Sequence, residues 1–456
     1  MPARLPALLA DPPAAAGRLW LTGGRLFDGT GAPVRESAAV LVADGRIESV
    51  GSASDGVPDG ATVVELGGRT LLPGLIDAHA HVKVDRPVPD PGAEPLWPGA
   101  DGHFLAADLR ETLRRGVTTV RDVGSYGDLV FEARQGMRYG AFRGPRLLSC
   151  GRIVSATAPG GRFFDGMYRE ADGADEIRRA TREQLRRGAD FIKVMTTGAR
   201  SVELEDPDPA QLTRGEISTL VEEAHRQGYR VAAHAEGIDG TAIAIEEGID
   251  TIEHGMYLNQ RPDLLERMAA GNQVLVPTLS CFYGVAGLGH AVGADDRPID
   301  TGAAVGTGEW HASGCGAGQP PARSWSPLLV ELAHHNLEQA DLTLKAARAA
   351  GVRIAAGHDW HPVWNLALEI RRMIAHGLSA VQAMVAATAG SAYALGLQAT
   401  VGTVTPGMLA DLLVVDGDPL TQPELLGARE HIWLVLQRGV AVAGAALERR
   451  LPERPT

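Results

Sequence analysis

Between residues 75 and 398 the chain alternates short apolar runs with amphipathic helical patterns, and the runs can be counted. They fall at 75–82, 118–123, 146–151, 191–195, 231–236, 251–254, 274–279 and 353–358. Helical periodicity fills intervals such as 174–187, 214–227 and 331–350. Asp or Thr often precedes these segments and Gly often follows, as at Gly188, Gly228, Gly248 and Gly351. Eight strand–helix units match the count of a (β/α)8 barrel, whose sites are built on the C-terminal ends of the strands. One interval breaks the rhythm: 281–326 is long, rich in Gly, Pro and Ser, and nearly aperiodic. A loop of that length in a compact domain is usually functional or disordered. It reads as an insertion after the seventh strand, either a lid over the site or a surface excursion without function.

The two ends of the chain read differently. Leu19–Leu21, Ala39–Val42 and Arg46–Val50 are short apolar or alternating runs, with Asp44-Gly45 as a hairpin turn between the last two. Asp411–Val415, Ile432–Leu436 and Ala441–Ala443 repeat the pattern, with turns at Asp416-Gly417 and Arg438-Gly439. Strands from both ends can pair in one small sheet. The expected division is 1–74 and 399–456 for a small β domain and 75–398 for the barrel, with 281–326 inserted in it.

Charge and cysteine usage narrow the function classes. Lys+Arg 43 against Asp+Glu 56 gives −13, and no basic run or aromatic–basic stripe appears, which disfavours a nucleic-acid partner. Cys150, Cys281 and Cys315 are sparse, odd in number and without CxxC spacing, so neither a disulfide framework nor a thiolate zinc site is indicated. Leu5–Ala10 is too short an apolar run for a signal peptide, and no stretch approaches a membrane span. A cytoplasmic protein acting on a small molecule is the expectation.

The chemistry-bearing residues sit at strand ends. In Leu75-Ile-Asp-Ala-His-Ala-His81 the histidines are two apart, so a strand points both to one face and toward one ion. Imidazole suits Zn, Fe, Mn or Ni. His234 in Val231-Ala-Ala-His-Ala and His254 in Thr251-Ile-Glu-His-Gly occupy consecutive strands, and Asp359 closes the run that begins at Ile354. Lys193 interrupts Asp190-Phe-Ile-Lys-Val-Met195, where burial of an ammonium is costly. An ammonium has no lone pair for a metal. A neutral lysine that captures carbon dioxide becomes an anionic carbamate with two oxygens; the alternative is a buried stem with its head at the rim. Arg152, Arg162 and Arg200, after strands three and four, are candidates for a substrate carboxylate. Tyr257 and Tyr283, after strands six and seven, are candidates for a carbonyl. His225, His334, His335 and His376 lie on helical patterns and read as packing or solvated residues.

On these segments the chain resembles the amidohydrolase superfamily, in the branch of imidazolonepropionase-like proteins and Xaa-Pro dipeptidases (prolidases) with a carboxylated lysine. The matching stretches are Leu72-Pro-Gly-Leu-Ile-Asp-Ala-His-Ala-His81, Gly188–Met195, Val231–Ala235, Ile252–Gly255 and Gly402-Thr-Val-Thr-Pro-Gly-Met-Leu-Ala-Asp-Leu412. The resemblance implies an α/β fold: a distorted (β/α)8 TIM-like barrel with a small β-sandwich domain formed by both termini, in a family that often assembles into homo-oligomers. It implies two divalent ions, most commonly zinc. His79, His81 and Asp359 would bind one, His234 and His254 the other, and Lys193, carboxylated by carbon dioxide, would bridge them. A water activated between the ions would attack an amide carbonyl, with Asp359 as general base and then acid. The expected substrate is a dipeptide such as Xaa-Pro or an N-acyl amino acid. Opening of a cyclic amide or lactam, or cleavage of a specialised N-acyl metabolite, is the alternative; a non-catalytic binding protein fits poorly with six retained ligands. Three features depart from the family pattern: His358 stands where relatives carry Thr or Ser, with His361 close by; Ala158-Pro-Gly-Gly-Arg162 lacks the histidine of a Gly-Gly-His loop; and 281–326 is long.

Overall fold

A strand buried on both faces has no polar side to alternate with, so its sequence reads as an unbroken apolar run. That is what the central segments are. The structure, a computed structural model, describes residues 17–82, 99–202, 204–286, 288, 327–360 and 362–448. All eight expected runs form strands: Leu75–Ala80, Val117–Asp122, Arg146–Ser149, Ile192–Met195, Val231–Ala235, Thr251–His254, Val274–Val276 and Arg353–Ile354. In the first seven every residue is buried.

The first three pair in sequence order as one parallel sheet, and the other five continue in order in a second. Two short strands, Ile153–Ser155 and Tyr168–Glu170, extend the edge of the second sheet beside Ile192–Met195. Backbone hydrogen bonds cross both gaps between the sheets. The Asp190 N–H donates to Ser149 O at 2.8 Å, and the Ala78 and Asp359 N–H groups donate to Ala356 O and His79 O at 2.9 Å each. Helices fill the connections as expected, including Ala174–Arg187, Arg214–Arg226 and Pro327–Ala349. Ala174–Arg187 stops at Gly188 in the left-handed conformation, and Arg214–Arg226 starts with a capping box between Thr213 and Glu216.

Strands from both chain ends do meet in one sheet. Thr70–Pro73 runs antiparallel to Leu412–Val415, joining Arg18–Leu26, Arg35–Ala43, Arg46–Ser52 and Ala61–Glu65 to Ile432–Gln437 and Val440–Ala443. By hydrogen bonding this is a single mixed sheet that bends rather than two separate ones. Arg18–Leu26 pairs with Ala61–Glu65 before Gly23 and with Thr70–Pro73 after it, and its register with Arg35–Ala43 breaks at Gly24. A Cβ on Gly24 would lie 2.6 Å from Arg69 O, so only glycine permits the bend. Asp44-Gly45 and Arg438-Gly439 both adopt positive φ at both positions, the pattern of tight two-residue hairpins.

The sheet docks on the parallel strands through a buried ion pair, Arg146 Nη1 to Asp411 Oδ2 at 2.8 Å. Thr70–Pro73 leads directly through Gly74 into the strand that bears His79. Of the segment 281–326, only Cys281–Ala286 and Leu288 are among the described residues, and Cys281–Val285 belongs to the helix Leu279–Val285. The lid reading therefore concerns residues outside those described, as do Leu5–Ala10, Cys315 and His361.

Candidate active site

The strand ends deliver His79, His81, Lys193, His234, His254 and Asp359 to one cleft of about 700 Å³, mouth included. Asp359 Oδ1 lies 3.5 Å from His79 Nε2 and 3.4 Å from His81 Nε2, and Oδ2 lies 4.0 Å from His254 Nδ1. The His254 ring centroid is 5.2 Å from that of His79 and 4.6 Å from that of His234. His254 and Asp359 reach inward because their backbones leave the strand conformation, at φ 68° and 45°. For non-glycine residues this costs on the order of 1–3 kcal/mol each, a strain the surrounding structure must hold in place.

A layer of buried partners fixes each imidazole. His79 Nδ1 donates to Glu253 Oε2 at 2.7 Å, and Glu253 Oε1 is 2.7 Å from Arg121 Nη2. His81 Nδ1 donates to Gly124 O at 2.8 Å. The Thr278 hydroxyl donates to Pro277 O, so it accepts from His254 Nδ1 at 2.6 Å. These bonds place the proton of each ring on Nδ1 and leave the Nε2 lone pair for the cleft. His234 is held the other way round, with Nε2 donating to Gly198 O at 3.1 Å. Burial pushes the His79 and His254 imidazoles well below their ordinary range and His234 to about 3, so all three are neutral, the form that coordinates a cation. Burial likewise lowers the Lys193 ammonium and raises the Asp359 carboxyl, each partly restrained by the other's charge.

Two overlapping groups of donors could each hold a cation. His79, His254 and Asp359 offer one ligand atom each, all mutually within 4.8 Å, and so do His234, Glu236 and His254. His254 is common to both groups, whereas the sequence reading assigned it to the second ion alone. Nitrogen and carboxylate donors without sulfur suit zinc and similar divalent ions. Glu236 was not singled out from sequence, yet His234-X-Glu236 has the same i, i+2 spacing as His79-X-His81, and the same one-face argument finds it.

Of the substrate candidates, Arg200 lines the cleft. Its backbone N–H donates to Glu236 Oε2 at 2.9 Å, its Nε lies 3.6 Å from the same oxygen, and Nη2 pairs with Asp208. Its guanidinium sits 5.3 Å over Tyr257, which stands behind it rather than in the wall. The others lie elsewhere. Arg162 is exposed on the helix Pro159–Phe163, and Arg152 follows Arg146–Ser149 with its N–H donating to Gln184. Tyr283 is fully buried, 2.9 Å from His376 Nε2, with Arg372 4.2 Å over its ring. The helix Leu279–Val285 turns Cys281, Phe282 and Val285 into the cleft, and its 3.6-residue period carries Tyr283 around to the core.

His358 is buried, and its backbone N–H donates to Asp77, which also accepts from His79 N–H. His225 meets Asp250 and His376 meets Asp341, in the packing roles expected for helical histidines. Where a Gly-Gly-His loop was missed in the sequence, the stretch after Ile153–Ser155 supplies Phe164, Met167 and Tyr168 to the wall. Opposite classes of side chain thus share the cleft: polar, ionisable groups on its floor and large apolar groups on its walls.

A family model described as the amidohydrolase family matches residues 70–442. Ochratoxinase from Aspergillus niger is 30% identical over 441 residues, covering 90% of this chain and 84% of its own length. The crystal structure of A. niger ochratoxinase matches with a TM-score of 0.77 at 26% identity, covering 94% of this chain and 96% of that one. A Xaa-Pro dipeptidase crystal structure with bound methionine in the active site matches with a TM-score of 0.77 at 24% identity, covering 94% and 100%, which speaks for the fold. Imidazolonepropionase from Salinispora arenicola is 25% identical over 471 residues, covering 92% of this chain and 93% of its own length. The chain belongs to the amidohydrolase family and is a hydrolase acting on carbon–nitrogen bonds.

Proposed function

We propose that the protein is a binuclear metal-dependent amidohydrolase that cleaves an amide of a small dipeptide or N-acyl amino acid. The observation that carries this is the convergence of four imidazoles, Lys193 and Asp359 on one cleft, where His79, His254 and Asp359 form one donor group and His234, Glu236 and His254 another. His79, His81, His234, His254 and Asp359 would hold the two ions, zinc being the ion they suit, with Lys193 between them. The ions, when bound, polarise the amide carbonyl and lower the pKa of water. Asp359 then removes a proton from the attacking water and returns it to the leaving nitrogen. Its buried carboxyl holds a proton more readily than an ordinary aspartate, which matches that shuttle. Lys193, whose amine is more readily neutral than an ordinary lysine, adds to carbon dioxide: an N–C bond forms, one proton leaves, and a carbamate results.

We read the two parallel sheets as one distorted (β/α)8 barrel over 75–398 and the bent sheet as a small β-sandwich from 1–74 and 399–456, in a cytoplasmic enzyme. The apolar walls, with Phe164, Met167, Phe282 and Leu329, support a substrate carrying a large apolar group. The test is metal analysis and a panel of Xaa-Pro dipeptides and N-acyl amino acids after reconstitution with zinc and bicarbonate. About two ions per chain and hydrolysis of panel members with apolar groups are expected. Absence of bound metal, or inactivity on every panel member by the metal-loaded protein, would overturn the reading.

A further inference from the structure

One wall of the cleft is made by the helix Pro327–Ala349, whose Leu329, Ala333 and Asn336 face inward at helical spacing. Phe282 and Val285 from the helix Leu279–Val285 also line the cleft, and Val285 and Ala333 pack in one cluster with Trp360. Asn336 is the exception in this apolar setting. It is 3% exposed, and its buried Oδ1 has no hydrogen-bond partner among the described residues. A buried acceptor without a partner lowers stability, and native proteins keep few of them, so each calls for a physical reason. Here the group borders the cleft, and rotation about its last torsion offers either an acceptor or a donor to an occupant.

We propose that Asn336 is a specificity-determining residue that hydrogen-bonds a single polar group, such as a hydroxyl, on an otherwise apolar moiety of the substrate; this rests on the amide-hydrolase reading above. The apolar neighbours select the body of that moiety, and Asn336 selects its one polar atom. A site built in this way discriminates strongly against an analogue lacking the polar atom, because the analogue leaves the amide unpaired inside the complex.

The test compares matched amides that differ by one hydroxyl on either side of the scissile bond: N-acetylphenylalanine against N-acetyltyrosine, and benzoyl against hydroxybenzoyl amino acids. The metal-loaded wild type is expected to prefer the hydroxylated member of at least one pair by about tenfold or more in kcat/KM. In Asn336→Leu that ratio should fall to near one while Tm does not drop, because leucine removes an unpaired polar group. Asn336→Ser gives the same ratio readout where leucine does not fit. A preference that survives both substitutions, no preference in either pair, or a lower Tm with the ratio unchanged would overturn the assignment. Should no amide be hydrolysed, the enzymatic reading fails by itself. Calorimetric binding of phenylalanine against tyrosine, and of benzoate against hydroxybenzoate, to wild type and Asn336→Leu then decides the role of Asn336: loss of a hydroxyl preference in the variant supports it, and equal preference in both proteins overturns it.

Discussion

At the scale of single residues, the group behind the cleft's imidazoles matters as much as the imidazoles. Glu253 is fully buried between His79 and Arg121 and also accepts from the Thr251 hydroxyl. It holds the His79 proton on Nδ1 and balances a guanidinium that is itself 2% exposed. Glu253→Gln keeps the shape and removes the charge, and zinc affinity measured by chelator competition should fall about 10- to 100-fold. Glu253→Ala also strands Arg121, and denaturant unfolding should show a loss of roughly 3–5 kcal/mol. Unchanged zinc affinity in both variants would remove Glu253 from the site. The sequence announced His79 and His81 through their spacing, but Glu253 was not singled out, and strict strand alternation would set it on the opposite face from His254. The positive φ of His254 breaks that alternation and brings both side chains toward His79. A backbone turn at a strand's last residue has no signature in hydrophobic pattern, so this part of the site was not legible.

At the scale of elements, the surface helices are tied by charge as well as by their apolar stripes. Glu223 on Arg214–Arg226 accepts both arms of Arg182 on Ala174–Arg187, at 2.9 and 3.0 Å, and pairs with Arg226 on its own helix. The Arg182 bonds, with those of Arg226 and Gln227, lower the Glu223 carboxyl from 4.5 to about 2. Between those values the unfolded chain binds the proton that the folded chain refuses, so stability is full above about pH 4.5 and is lost as pH falls toward 2. Glu223→Gln should flatten this acid limb by about 1–2 kcal/mol, a figure kept low because both arginines are half exposed and screened. Urea melts at pH 3 and pH 7 check it; an equal loss at both pH values would point to packing instead. These helices were readable in advance because capping residues and 3.6-residue periodicity agree over three or more turns. Ile153–Ser155 and Tyr168–Glu170 were not, since three residues are too few to show a period. Ala61–Glu65 escaped because most of its side chains are exposed and it lies at the margin of the sheet.

At the scale of the whole molecule, the bent terminal sheet meets the strand that bears His79 at a junction around Asp411. Arg146 and Asp411 are 3% and 4% exposed, and Asp411 also accepts from the Arg438 N–H at 2.8 Å, while its carbonyl accepts from the Gly74 N–H at 2.8 Å. Gly74 is the single residue between Thr70–Pro73, paired to the C-terminal strand Leu412–Val415, and Leu75–Ala80, which presents His79. Loss of Asp411 therefore does two things. It leaves the Arg146 charge buried without its carboxylate, with a cost of roughly 3–5 kcal/mol, and it leaves the Arg438 N–H without its side-chain acceptor, while the backbone bond from the Gly74 N–H remains. Asp411→Asn keeps the volume and one of the two acceptor oxygens and loses the charge and the other acceptor, so its cost should be smaller than that of Asp411→Ala. If the junction positions the site, Asp411→Ala should also weaken zinc binding, even though Asp411 is absent from the cleft lining, while Asp411→Asn retains it. Denaturant unfolding with zinc titration of both variants separates the cases: destabilisation without altered zinc affinity would make the pair a clamp between two parts of the fold, and equal effects of Asn and Ala would assign the cost to loss of the carboxylate rather than of side-chain volume.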